Sequence, residues 1–191
     1  EASGRLTAWW SELRCGRLFG DMVRPDAYGR WQEDDRQIEF FLEFDFGTEE
    51  LSRLGRKLHG YEKLATATGI STPVLVWLPT NRRETTARRA LADALSQLDH
   101  PELVPLATSA ADNSGVSNGT NPAAARWLPI SGAPAGRPGR IRLGELAQIW
   151  PYAATTTTAQ PATTSSGDLK AVDLAAPNPL PPTSPPNRFR R

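Results

Sequence analysis

Cysteine is almost missing from this chain: Cys15 is the only one among 191 residues. No intrachain disulfide can form, and a cysteine-rich zinc site is excluded. That usage fits a reducing cytoplasm, where the protein is expected to reside. Long apolar runs are also lacking, so no segment is expected to span a bilayer and no membrane partner is expected. The N-terminus has none of the features of a secretory signal. Basic excess is missing too. The formal net charge is +1, with 18 Lys+Arg against 19 Asp+Glu in residues 1–150 and 4 against 2 in residues 151–191. Nucleic-acid binding by the body would therefore need a local basic face. The first residue is not Met, and the chain opens inside what reads as a running helix. A fragment or processed start is expected, with an upstream domain outside it.

What the chain does contain is an alternation of helical and strand patterns over residues 1–150, one expected domain. Leu6, Trp9, Trp10, Leu13 and Leu18 form an approximate helical stripe, so a helix is expected from Leu6 to Phe19 with Gly20 as its stop. Met22–Trp31 and Arg36–Phe46 read as a hairpin around the polar link 32–35. Phe40, Leu42, Phe44 and Phe46 fall on one face of the second strand, and Phe41, Glu43 and Asp45 on the other. Thr48 is the expected N-cap of a helix carrying Glu49 and Glu50 in its first turn, then Leu51, Leu54, Leu58, Tyr61 and Leu64, and ending at Gly69. Thr72–Leu78 is an expected buried strand, Arg82–Leu98 a helix with Ala87, Leu91, Leu95 and Leu98 inward, and Leu103–Ala107 a further strand. Residues 108–121 read as a loop, and 126–130 and 140–146 as segments that dock back. The order implies an α/β layer with a mixed sheet. Residues 151–191 are rich in Thr, Ala and Ser and carry eight prolines. They are expected to be a disordered tail, serving as a tether or, around Pro181-Pro182 and Pro185-Pro186, as a polyproline ligand.

The chemistry concentrates between Arg24 and Tyr61. Glu43 and Asp45 are two apart on a strand and share a face, and Asp26 is expected to meet them across the hairpin. Carboxylates framed by phenylalanines are costly to bury unless they hold a cation. Three converging carboxylates would suit Mg²⁺, which could activate water and neutralise charge on a scissile phosphate. Lys57 is placed to face the same region, with Tyr61 one turn on. Two other accounts of the same residues stand beside this one. The acids could blunt a strand edge, or they could form a structural ion-pair network with Arg53 and Lys57.

Pro25-Asp26 followed by Glu43-Phe44-Asp45 resembles the PD-(D/E)xK nuclease superfamily. The resemblance implies a restriction-endonuclease-like core, a mixed sheet flanked by helices, with a divalent metal held by the carboxylates and a lysine that activates water. Asp45 stands where that motif wants lysine, so either Lys57 supplies the amine or the site is inactive. A closer resemblance over residues 5–150 rests on Trp9-Trp10-Ser11-Glu12, Val23-Arg24-Pro25-Asp26-Ala27-Tyr28-Gly29, Phe41 to Glu49, Lys57 to Tyr61 and Pro73 to Pro79. Together these are similar to actinobacterial replication-relaxation proteins, associated with plasmid replication and DNA relaxation. Members usually carry a winged-helix-like DNA-binding region before this block. The resemblance implies DNA as a partner, mainly through that upstream region, and protein partners of a replication or transfer complex. The implied function is a DNA-handling protein, either a Mg²⁺-dependent nuclease using Asp26, Glu43, Asp45 and Lys57, or a non-catalytic nuclease-like scaffold.

The remaining candidates read more plainly. Glu12 could add a carboxylate but reads as a solvated helix residue, Tyr61 as core or rim, and His59 and His100 as surface residues. Trp31 at the hairpin could offer a stacking platform for bases. Arg82, Arg83, Arg88 and Arg89 form the densest basic group, expected to be a solvated helix exterior unless it aligns with Arg53 and Lys57.

Overall fold

Residues 4–11 are a strand rather than the opening of a helix. The computed structural model describes residues 4–48, 50–112, 121–132 and 139–150. Within them β1 (Gly4–Ser11) leads directly into α1 (Glu12–Phe19). β1 pairs antiparallel with β2 (Ala27–Glu33), with a register shift between Leu6 and Ala8. That irregularity explains the misleading stripe. An extra residue in a strand reverses its in–out phase, so Leu6 and Trp9, three apart, line the same groove. The intervening Ala8, with Trp10, turns to the opposite, helix-covered side. Leu13 and Leu18 of α1 are exposed, and its buried residue is Cys15.

Pro25 delays the second strand. β2 starts at Ala27, not Met22, and β3 (Arg36–Phe44) stops before Asp45. β3 then runs parallel to β4 (Val74–Leu78) through the crossover helix α2 (Leu51–Thr68). β4 runs parallel to β5 (Leu106–Ala110) through α3 (Asn81–Leu95). The sheet order is β1-β2-β3-β4-β5-β6, with the two-residue β6 (Leu128–Pro129) antiparallel to β5. A short 3-10 turn (Pro101–Leu103) takes up the start of the expected fifth-strand segment. Thr108 to Ala110, expected in a loop, are buried strand residues. Their small polar side chains disguise a strand whose hydroxyls are satisfied by Glu84 and Arg126.

The sheet has two apolar faces. Phe41, Leu58, Tyr61, Val74, Val76 and Leu91 belong to the layer under α1, α2 and α3. Phe40, Leu42, Leu75, Trp127, Leu146 and Trp150 form the opposite layer under the segment that ends in α4 (Leu146–Ile149). The mixed α/β sheet flanked by helices is thus as expected, and the alternation of Phe40/Leu42 with Phe41 along β3 sorts the two cores. α3 buries the expected Ala87, Leu91 and Leu95, with Leu98 just beyond. It is capped by Thr80, whose side chain accepts from the Arg83 amide at 3.1 Å. α2 ends as expected at Gly69, at φ 69°. Its N-cap residue is Glu50, not Thr48, with no side-chain cap bond. Glu49 and the tail 151–191 lie outside the described residues. No helix among the described residues is long and apolar enough to cross a membrane.

Gly60 fixes how closely α2 approaches the chain that leads into Asp26. A Cβ there would lie 2.6 Å from the Met22 carbonyl oxygen and 3.0 Å from Val23 Cβ. Gly to Ala inside a helix ordinarily stabilises. Gly60→Ala is expected to do the reverse, lowering stability by about 1–3 kcal/mol through overpacking. Urea unfolding checks the sign, and a raised midpoint would mean that residues 22–23 can yield.

Candidate functional site

The C-terminal end of the parallel strand β3, the chain just before β2, one face of α2 and the first turns of α1 and α3 surround a cleft of about 570 Å³. Crevices outside the carboxyl ends of parallel strands are where α/β sheets place ligands. Asp26, Glu43, Asp45 and Lys57 all line it, together with Glu12, Arg24, Arg53 and Arg83.

Glu43 is the buried centre, 2 % exposed on β3. Its Oε2 lies 2.5 Å from Lys57 Nζ, and its Oε1 accepts from the Tyr61 hydroxyl. Lys57 and Tyr61 are one turn apart on α2, so a single helix face grips both oxygens. Asp26, just before β2, sits 3.5 Å from Lys57 Nζ through Oδ1 and accepts the Phe44 amide at 2.7 Å through Oδ2. Lys57 therefore joins Asp26 to Glu43. Asp45 goes elsewhere. Beyond the end of β3 its amide still bonds the Trp77 carbonyl at 2.9 Å. That contact carries it to the start of α3, where Arg83 holds it through Nε at 2.7 Å and Nη2 at 3.3 Å. Asp45 Oδ1 also accepts the Gly47 amide at 2.6 Å.

The electrostatics follow burial. Desolvation pushes the Glu43 carboxyl up to about 7, with Lys57 pulling it down and Asp26 adding to the rise. Burial pulls the Lys57 amine down, but the carboxylates of Glu43 and Asp26 outweigh it and leave Lys57 above its usual range. The Tyr61 hydroxyl is pushed well above its ordinary value, first by burial and then by Glu43, so it serves as a donor. Near neutrality Glu43 is at the midpoint of its titration, while its two partners hold their protons.

The expected convergence of three carboxylates is replaced by two ion-paired clusters. Asp26, Glu43, Lys57 and Tyr61 form one, and Asp45 with Arg83 the other. Among the described residues no group of three or more His, Cys, Asp or Glu side chains is placed to hold a metal ion. The physical reason is that β3 ends at Phe44, so Asp45 does not keep the strand alternation that would have aimed it beside Glu43. Of the structural pairs expected, Lys57 with Glu43 is present, while Asp45 takes Arg83 rather than Arg53. The four arginines of α3's sequence do not form one exterior face. Arg82 and Arg89 are exposed, Arg83 enters the cleft, and Arg88 bonds Thr108 and the carbonyls of Leu128 and Pro129. Tyr61, read as core or rim, is buried but bonded to the site. No local sequence signal marks Arg83. Only the parallel pairing of β3 with β4 brings it to Asp45. His59 and His100 are exposed, as expected, and Glu12 stands on the cleft rim. Trp31 lines a groove rather than the cleft.

No curated protein and no solved structure matches the chain. The similarity expected over residues 5–150 is found in the first part of that range. Residues 1–78, from β1 to the end of β4, match the family described as Replication-relaxation, a stretch that carries Asp26, Glu43, Asp45, Lys57 and Tyr61 and stops short of Arg83.

Proposed function

We propose that this protein is a DNA-handling component of plasmid replication or relaxation whose α/β domain is a non-catalytic, nuclease-like scaffold. One observation carries the proposal: all six carboxylate oxygens of Asp26, Glu43 and Asp45 are met by donors of the protein itself. A cation entering the cleft would have to displace Lys57 from Glu43 and Arg83 from Asp45. Buried pairs of this kind lock one arrangement of the elements that carry them. Here they tie β3 to α2 and to α3 and shape the cleft. DNA or a partner of the replication or transfer machinery would be engaged by the surfaces so fixed, with Arg24 exposed at the rim. The family match supports the replication context.

A metal-dependent nuclease is the second reading, favoured by the fact that Asp26, Glu43, Asp45 and Lys57 line a single cleft. In it Mg²⁺ would be held by the three carboxylates, and Lys57 would act on the attacking water. The residues as arranged do not offer that ligand set, because Asp45 is turned to Arg83.

Calorimetric titration of the full chain with Mg²⁺ and Mn²⁺, with Asp26→Ala and Glu43→Ala as controls, separates the two. The scaffold is expected to bind neither metal at millimolar concentration and to leave supercoiled plasmid DNA intact. Its binding to that DNA should weaken with salt. Metal binding abolished by both substitutions, with nicking of the plasmid, would replace the scaffold by the nuclease. Failure to bind DNA under any salt condition would remove the DNA-handling role.

A further inference from the structure

On the sheet face away from α1–α3, the segment ending in α4 leaves part of β1–β3 uncovered. The result is an apolar groove of about 350 Å³, lined by Leu6, Trp9, Trp31, Phe40, Phe44 and Trp77 among others. Leu6 and Trp9 are 44 % and 39 % exposed, high for large apolar side chains in one patch. Aromatic-walled grooves are the surface that takes polyproline II segments, because proline rings pack flat on indole and phenyl faces at little entropic cost. The groove runs along the strands from Trp31, three residues before the β2–β3 turn, to Phe44 at the end of β3. Exposed Asp34 and Asp35 make up that turn with exposed Arg36 beside them, so that end of the groove has a net negative charge of one.

We infer that this groove binds the proline-rich end of the same chain, residues 177–191, with Pro181, Pro182, Pro185 and Pro186 on the aromatic wall and Arg188, Arg190 and Arg191 against Asp34 and Asp35. Three features argue for this occupant. The sequence following the prolines is basic, complementing the acidic turn. Five residues of β3 from Phe40 to Phe44 span about 13 Å, and a polyproline helix from Pro181 to Pro186 spans about 16 Å at its rise per residue. Trp150, the last described residue, belongs to the same apolar layer as Phe40 and Leu42. From there to Pro181 the intervening chain has a contour of about 100 Å, which makes the encounter intramolecular at a high effective concentration. Nucleic acid fits the groove less well. Arg142, at its Trp31 end, is already paired with Glu33, and Arg126, over the Trp77 ring, is held by the Ser109 hydroxyl and the Ala110 carbonyl. This inference does not depend on whether the cleft is a scaffold or a nuclease.

The test compares the full chain with a variant in which Pro181, Pro182, Pro185 and Pro186 are all changed to Ala. These changes leave the sequence of residues 1–150 intact. Acrylamide quenching of tryptophan emission should rise in the variant, with a red shift as Trp9 and Trp31 become accessible. A synthetic peptide of residues 176–191 should reverse both changes. It should bind the variant more tightly than the parent chain, whose own tail competes, and Asp34→Asn with Asp35→Asn should weaken that binding. Identical quenching in parent and variant, or a peptide that binds both equally, would overturn the inference. So would protection that grows with protein concentration, which would assign the groove to a second copy.

Discussion

Replacing Lys57 with methionine is expected to cost about 1.4 kcal/mol more stability at pH 8 than at pH 5.5, because with the Glu43 carboxyl at about 7 that is the free energy of returning its proton one pH unit higher. The cost arises from Glu43, 2 % exposed, which without Lys57 must take up a proton or stay ionised with only the Tyr61 hydroxyl. The pH dependence gives the result its diagnostic value. Burial raises the Glu43 carboxyl from 4.5 to about 7, so the folded state binds its proton more tightly than the unfolded state. The stability contributed by the neutral form is complete below about 4.5 and is lost as the pH rises through about 7. At pH 5.5 Glu43 is mostly neutral in the parent chain, and Lys57 has little charge to answer. The penalty of Lys57→Met should therefore shrink there. Without Lys57 opposing desolvation, the Glu43 titration should also move further up. Combining Lys57→Met with Glu43→Gln, which keeps an acceptor for Tyr61 without the charge, should recover most of the loss at pH 8. Urea unfolding at the two pH values measures all four chains. An equal penalty at pH 5.5 and pH 8 would mean that Lys57 acts by packing its stem, not by compensating Glu43.

The legible parts of this molecule are those where periodicity and chemistry agree locally. α2 and α3 repeat their apolar residues at three and four over several turns, and the alternation in β3 separates Phe41 and Glu43 from Phe40 and Leu42. The chain also shows Asp26, Glu43 and Lys57 as one constellation, because an acid among phenylalanines needs a cation and a helix lysine follows at the right distance. Two kinds of error have two physical causes. β1 passes for a helix because the register shift between Leu6 and Ala8 gives it a three-residue apolar spacing. The second half of β5 passes for a loop because Thr108 and Ser109 are polar, and their burial depends on partners from α3 and from Arg126, remote in sequence. Asp45 illustrates the limit for the site itself. Its two-residue spacing from Glu43 predicts a shared target, yet the strand ends between them, and a residue 38 positions away captures it. Pairing across elements decides which cation an acid meets, and no local pattern encodes that choice.

The same dependence on distant partners makes Glu84 the other position of large expected effect. Glu84, on α3 and 2 % exposed, pairs with Arg140 at 2.6 Å and accepts the Thr108 hydroxyl at 2.7 Å. Arg140 in turn donates to the Arg126 carbonyl at 2.7 Å. Arg126 is fully buried over the Trp77 ring at 4.3 Å and donates to the Ala110 carbonyl at 2.7 Å. Burial lowers both Arg88 and Arg126, and the Glu84 carboxylate is what opposes that loss of charge. Glu84→Ala would leave Arg88, Arg126 and Arg140 gathered without their buried counter-charge, at an expected cost of about 3–5 kcal/mol. The damage should be local first. Residues 121–132 and 139–150 rest on the sheet through this network and through Trp127 and Leu146, whereas α2 grips β3 through Lys57 and Tyr61 on the other face. Hydrogen exchange should therefore speed up at the Trp127, Ile141 and Trp150 amides, each held by one of that segment's carbonyls, while α2 keeps its protection. Glu84→Gln, which retains an acceptor for Thr108 but not the charge, should produce the same pattern more weakly. Acceleration spread equally through α2 would mean that α3, packed beside α2 on one face, passes the loss on to it, and unchanged exchange would mean that apolar packing alone holds the segment in place.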